Sequence, residues 1–172
     1  AVADSARVVT DTPNFIKEGI ELADGSNGEL ASNYALPVLD GNTAPVTITP
    51  RPVNVSLTNT GVSKDYDGTR AAPGDFVPSI NITAGALAGD TISLGYEAAV
   101  YDSKDVATAS TLTVSGIRVD AVEGANGSMP TDYQVNTTDP SVSASIAKKP
   151  ITFAATKVYD GTKNIEADEM VI

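Results

Sequence analysis

The chain has 172 residues, with 22 acidic against 11 basic side chains, a formal net charge of −11, and neither cysteine nor histidine. Without cysteine there is no disulfide framework and no thiolate nucleophile or metal ligand. Without histidine the commonest general base at neutral pH is missing, so no enzyme is expected. The acidic excess argues against nucleic-acid binding, which needs clustered Lys and Arg. No apolar run approaches the roughly 20 residues that span a bilayer, so membrane insertion is not expected.

In chain order the sequence reads as short alternating strands separated by turn residues. A first strand is expected around Val8-Val9. Residues 12–22 carry a helix signal, with Thr12 as N-cap, Pro13 at the first helical position and Ile16 four residues from Ile20. Their counterpart further on, Leu112 to Val119, is β-branched and alternating, which predicts a strand in both places. A phase slip at Ser115-Gly116 predicts a β-bulge there. Asn27-Gly28 marks a tight connection into a strand around Tyr34-Ala35-Leu36, and Asp40-Gly41 turns the chain into Val46 to Thr49. Further strands are expected at 53–57, 76–77, 80–83, 91–94, 98–101, 133–135 and 142–146.

The chain also repeats itself. Lys64-Asp65-Tyr66-Asp67-Gly68-Thr69 returns as Lys157-Val158-Tyr159-Asp160-Gly161-Thr162. Residues 1–10 share six identities in ten with residues 99–108, at an offset of 98. Asn27-Gly28 and Tyr34 recur as Asn126-Gly127 and Tyr133 at 99, and Pro52-Val53 recurs as Pro150-Ile151 at 98. Such a period predicts the back part of one unit at 1–49, one whole unit at 50–147 and the front of another at 148–172. Each unit would contact its neighbours in the same chain. Pro50, Pro52 and Pro150 mark the boundaries, and their fixed φ predicts short, stiff linkers.

Seven to nine short strands in a unit of this size predict an all-β fold, a tandem repeat of small antiparallel β-sandwich units of Ig-like architecture. A β-grasp-like sheet is the fallback. With no Trp and three Phe, the core must be Val, Ile, Leu and Ala.

The repeated motif, Tyr66-Asp67-Gly68 and Tyr159-Asp160-Gly161, reads first as a corner: Asp accepts from backbone donors one or two residues on, and Gly reaches positive φ. Asp65 with Asp67, and Asp102 with Asp105, are the acidic pairs weighed for calcium. Neither has the dense D-x-D-x-D-G spacing of a local loop, so a calcium site would have to be assembled across strands or between units, and no cofactor is expected.

The order Thr47-Ile48-Thr49-Pro50-Arg51-Pro52, Lys64 to Thr69, Gly89-Asp90, Asp102 to Val106 and Thr113 to Gly116 resembles the YDG repeat. That repeat, with the related MBG repeat, occurs in large bacterial surface adhesins of the filamentous-haemagglutinin and autotransporter kind. The likeness covers the whole unit and its flanks, departing at Lys17-Glu18-Gly19 where the second copy has Val114-Ser115-Gly116. It implies a secreted, repetitive stalk at the bacterial cell surface and offers no catalytic residues. The other reading is a module in which exposed Tyr66, Tyr96, Tyr101 or Asp67 contacts a host or matrix glycan or protein.

Overall fold

A computed structural model describes residues 1–8, 13–136, 138–166 and 170–171. Among these residues the regular structure is all β, with 14 strands and two short 3-10 turns. Val9 and Thr12 lie outside the described residues, so the centre of the first expected strand and the N-cap lie there too.

The chain divides into two compact units, and each is interleaved in sequence: 1–58, 79–98 and 114–140 form the first, 59–78, 99–113 and 141–172 the second. In the first unit, β1 (Val2–Ala3), β2 (Asn14–Glu18) and β3 (Pro45–Val46) form an antiparallel sheet in that order. The β-branched counterpart thus outweighs the helix signal, and the strand expected within 12–22 stands at β2. Asn14 is buried at its start, and its Nδ2 donates to the Arg7 carbonyl at 2.8 Å, so the buried amide is satisfied.

A second sheet places β4 (Arg51–Leu57) between β11 (Tyr133–Val135) and β6 (Ile80–Ala84). Alternation along β4 turns Val53 and Val55 inward, where they are buried, as is Tyr133 on β11. Gly85 allows the close turn after β6, because a Cβ there would stand 2.1 Å from the Pro52 carbonyl oxygen. A third, two-stranded sheet pairs β7 (Asp90–Gly95) with β10 (Arg118–Gly124), its register shifting between Val119 and Ala121.

In the second unit one sheet runs β5 (Val62–Asp65), β12 (Ser141–Ala147), β9 (Thr111–Ser115) and β8 (Ala98–Tyr101). Its core is Tyr101, Leu112, Ala144 and Ile146. The small ribbon β13 (Ala154–Ala155) with β14 (Met170–Val171) completes it.

Four expectations need correction. The sheets are mixed and not purely antiparallel: β11 pairs parallel with β4, and β5 with β12. Parallel neighbours need a long crossover, and both pairs are joined by long stretches of chain. The single bulged strand at 112–119 is two strands in different sheets, because Gly116 at φ +66° turns the chain between β9 and β10. No strand forms at Tyr34-Ala35-Leu36 or at Phe76-Val77, while β5 was not anticipated. Finally, Tyr101 is not an exposed contact residue but fully buried, on the inward face of β8.

The Tyr101 hydroxyl is enclosed without a hydrogen-bond partner among the described residues. Leaving a buried hydroxyl unpaired costs about 1–3 kcal/mol. Tyr101→Phe keeps the ring and removes the orphan oxygen, so it is expected to raise unfolding stability by about 1 kcal/mol. In urea melts the midpoint should rise with an unchanged slope; a lower midpoint would show that the hydroxyl holds a partner.

Candidate functional site

The Tyr-Asp-Gly turn is built around a lysine. Lys64 lies on β5 with its side chain only 7% exposed, and its ammonium donates to Asp67 Oδ1 at 2.8 Å, Ala71 O at 2.8 Å, Thr69 O at 3.0 Å and Thr69 Oγ1 at 3.1 Å. It also lies 5.4 Å from the centre of the Tyr101 ring, a cation–π contact. Asp67 Oδ1 in turn accepts from Thr69 N and Thr69 Oγ1, both at 2.9 Å. Gly68 sits at φ +79°, with space around it, so backbone conformation and not crowding requires the glycine. The Lys64 ammonium first, and the Thr69 donors after it, pull the Asp67 carboxyl down to about 2.

The turn then delivers the chain to a strand edge. Tyr66 N donates to Ala147 O at 2.9 Å, holding the turn's entry on β12. Beyond the turn, Tyr101 N donates to Arg70 O and Arg70 Nε to Tyr101 O, each at 2.7 Å, and Ala71 bridges Val100. The outer edge of β8 is thereby covered, which removes an open template for pairing.

The second copy repeats this bonding. Lys157 Nζ meets Asp160 Oδ1 at 2.9 Å and Thr162 Oγ1 at 2.8 Å, and also donates to Asn164 O. Thr162 N reaches Asp160 Oδ1 at 2.8 Å, and Gly161 takes φ +77°. Both copies thus use the third, fifth and seventh residues after the lysine. Their surroundings differ, since Tyr66 is partly covered while Tyr159 is almost fully exposed. The sequence reading centred on Tyr, Asp and Gly and gave the lysine no role. The signal was present, because both copies carry Lys two residues before Tyr.

Of the remaining candidates, Tyr66 lines an open, mainly apolar cleft of about 520 Å³ with Val106, Lys148, Lys149 and Ile151. Tyr96 belongs to the first unit and is partly exposed. Pro50 immediately precedes β4, Pro52 lies within it opposite Gln134, and Pro150 follows β12. Asp102 closes its own loop, accepting from Ser110 Oγ at 2.6 Å, Ser110 N at 3.0 Å and Ser103 N at 2.9 Å, bonds that hold its carboxyl far below the usual range. Among the described residues no three acidic groups gather as a metal cluster.

The first unit contains a second polar centre that the sequence did not announce. Tyr133 Oη donates to Asp90 Oδ2 at 2.6 Å, and Asn126 Nδ2 donates to Asp90 Oδ1 at 2.8 Å and Ala88 O at 3.0 Å. Hydrogen bonds from Ser128 first, then Tyr133, lower the Asp90 carboxyl. Nearby, Arg7 pairs with Asp132 at 2.6 Å and donates to Asn126 O at 3.2 Å. Burial works against the charged Asp132, but the N–H groups of Val8 and Met129 and the Arg7 guanidinium outweigh it. A cleft of about 340 Å³ opens beside Arg7, Arg51, Ser128 and Tyr133.

Two tests follow from the lysine. Lys64→Met removes one donor group from four acceptors and is expected to cost roughly 2–3 kcal/mol, while Lys157→Met costs less than about 1, since its turn covers no packed tyrosine. Equal losses in denaturant melts would show that Tyr101 and β8 add nothing. The second test is pH. Because the Asp67 carboxyl is lower in the folded chain than in the unfolded one, its contribution is complete above about pH 4 and is lost as pH falls towards 2. Asp67→Asn should flatten that part of the acid stability curve relative to the native chain.

No helix among the described residues is long and apolar enough to cross a membrane, which says nothing of a β-barrel. No curated protein and no solved structure matches the chain. The model of the YDG domain matches residues 49–140, more than half of the chain, and takes in the Lys64 turn, β8, the Asp90 centre and β11. By that match the chain belongs to the YDG domain family.

Proposed function

We propose that this protein is a structural spacer of a secreted bacterial cell-surface adhesin, holding an adhesive region away from the cell. In this reading the units 1–49, 50–147 and 148–172 are links of one rod of small β-sandwiches, and the proline-containing junctions limit bending. The observation that carries it is the closed hydrogen-bond account of the Lys64 turn, in which Lys64, Asp67 and Thr69 satisfy one another and the backbone. Groups so engaged build a corner and are not free for substrate. The resemblance to repeats of filamentous-haemagglutinin and autotransporter adhesins supplies the extracellular setting. In the same reading the chain is not an enzyme and needs no cofactor, calcium included. Its net charge of −11 keeps neighbouring links apart.

One observation favours a second reading, a glycan- or matrix-binding module. Tyr66 and Ile151 line an open cleft rimmed by Lys148 and Lys149. An aromatic face with cationic flanks suits an acidic glycan.

Small-angle X-ray scattering on a chain of three tandem units, with calcium and with chelator, tests the spacer. A single unit of about 100 residues has a radius of gyration of roughly 13 Å. The maximum dimension should grow in proportion to unit number and ignore chelator. A rod that collapses only when calcium is withdrawn would overturn the cofactor-free spacer.

A further inference from the structure

Asn126 and Gly127 form a reactive pair within the Asp90 centre. The Gly127 backbone nitrogen can attack the Asn126 side-chain carbonyl carbon; the bond to Nδ2 breaks, ammonia leaves and a cyclic imide closes. Water then opens the imide at either of its carbonyls, giving aspartate or isoaspartate. The net change is amide plus water to carboxylate plus ammonium. Glycine in second place favours the attack, because it has no Cβ to shield its nitrogen and its backbone reaches conformations closed to other residues.

The fold opposes the first step. Asn126 Nδ2 engages both its hydrogens, on Ala88 O at 3.0 Å and on Asp90 Oδ1 at 2.8 Å, so the side chain cannot swing onto Gly127 N without breaking both bonds. Ser128 also bonds Asp90, and Gly124 lies so close to the start of β7 that a Cβ there would stand 2.1 Å from Gly89 O. The loop is thus fastened on both sides of Asn126. The product fits this closure badly: a carboxylate at 126 accepts and does not donate, so both bonds are lost and a second negative charge stands beside Asp90. Arg7, which donates to Asn126 O, is already paired with Asp132.

We propose that Asn126-Gly127 is a self-modification site gated by folding: closure of the loop on Asp90 keeps the amide intact, opening of the loop lets it deamidate, and the acid that forms keeps the loop from closing fully again. The reaction draws on water alone, which reaches Asn126 because the loop is exposed. Its rate follows the population of the open loop, since local opening must precede the attack. The change is one-way, so the chain retains a covalent record of having opened there. The inference rests on the bonding around Asp90 and not on where the protein is displayed.

The test follows the full chain over time in mildly alkaline buffer, folded in one series and unfolded in guanidinium chloride in the other. Tryptic cleavage after Arg118 and Lys148 isolates Asn126 in residues 119–148, apart from Asn27, and mass spectrometry reads conversion of amide to acid. Conversion at Asn126 is expected to be at least about tenfold slower in the folded chain. Equal rates in the two series would overturn the gate. Asn126→Asp installs the product directly, and its unfolding midpoint in guanidinium chloride is expected to lie below that of the native chain. A variant as resistant as the native chain would overturn the claim that the acid hinders closure. The rate comparison uses the native chain alone, so it decides the gate even where the variant does not fold.

Discussion

An ammonium group taken out of water is the constraint on which the second unit is arranged. Lys64 buries its stem, and four oxygen acceptors converge on its ammonium group. Those acceptors come from residues three, five and seven positions further on, so the chain must fold back within a handful of residues. Gly68 supplies the positive φ that the return needs, and Asp67 ties the return to Thr69. Once the return is fixed, Arg70 to Ala72 arrive beside β8 and close its outer edge. Local turn chemistry, a buried cation and sheet-edge protection are thus one arrangement seen at three scales.

Much of the strand pattern was legible because side-chain alternation follows from backbone geometry alone. Val53 and Val55 on β4, or Ala144 and Ile146 on β12, face inward with period two, as their sequence spacing requires. What alternation does not encode is the partner. The parallel pairing of β11 with β4 joins residues far apart in the chain, and nothing in Tyr133-Gln134-Val135 distinguishes a parallel from an antiparallel neighbour. The same limit explains Tyr101, whose burial is decided by the strands and turn around it, while its sequence neighbours Val100 and Asp102 belong equally to a surface strand. Lys64 escaped notice for a related reason, since an isolated lysine belongs on the surface by default and only assembled acceptors reverse that preference.

The paired motifs separate what a segment determines for itself from what it owes to neighbours. Around Asp67 and Asp160 the same bonds form, although one turn abuts a packed tyrosine and the other is largely open. Around Tyr133 and Tyr34 the same 3-10 turn forms, although Tyr133 is the one whose hydroxyl donates to Asp90. The same turn bonding thus forms in settings that differ in burial.

The acidic character of the protein takes on a different meaning once its carboxylates are placed. Asp67, Asp90, Asp102, Asp132 and Asp160 each accept from donors held by a turn or loop, and Asp40 does the same with the backbone of Asn42 and Thr43. All six are lowered, at Asp67 and Asp160 by the Lys64 and Lys157 ammonium groups first and at the others by hydroxyl, amide or guanidinium donors. Such groups act as fixed acceptors that set loop shape. A cation that recruited Asp67 would first have to displace the Lys64 ammonium, and one that recruited Asp102 would have to break the bonds that close the loop from Ser103 to Ser110. Negative charge that faces solvent is screened within about 10 Å in ordinary salt. It therefore acts between close neighbours and not over longer distances.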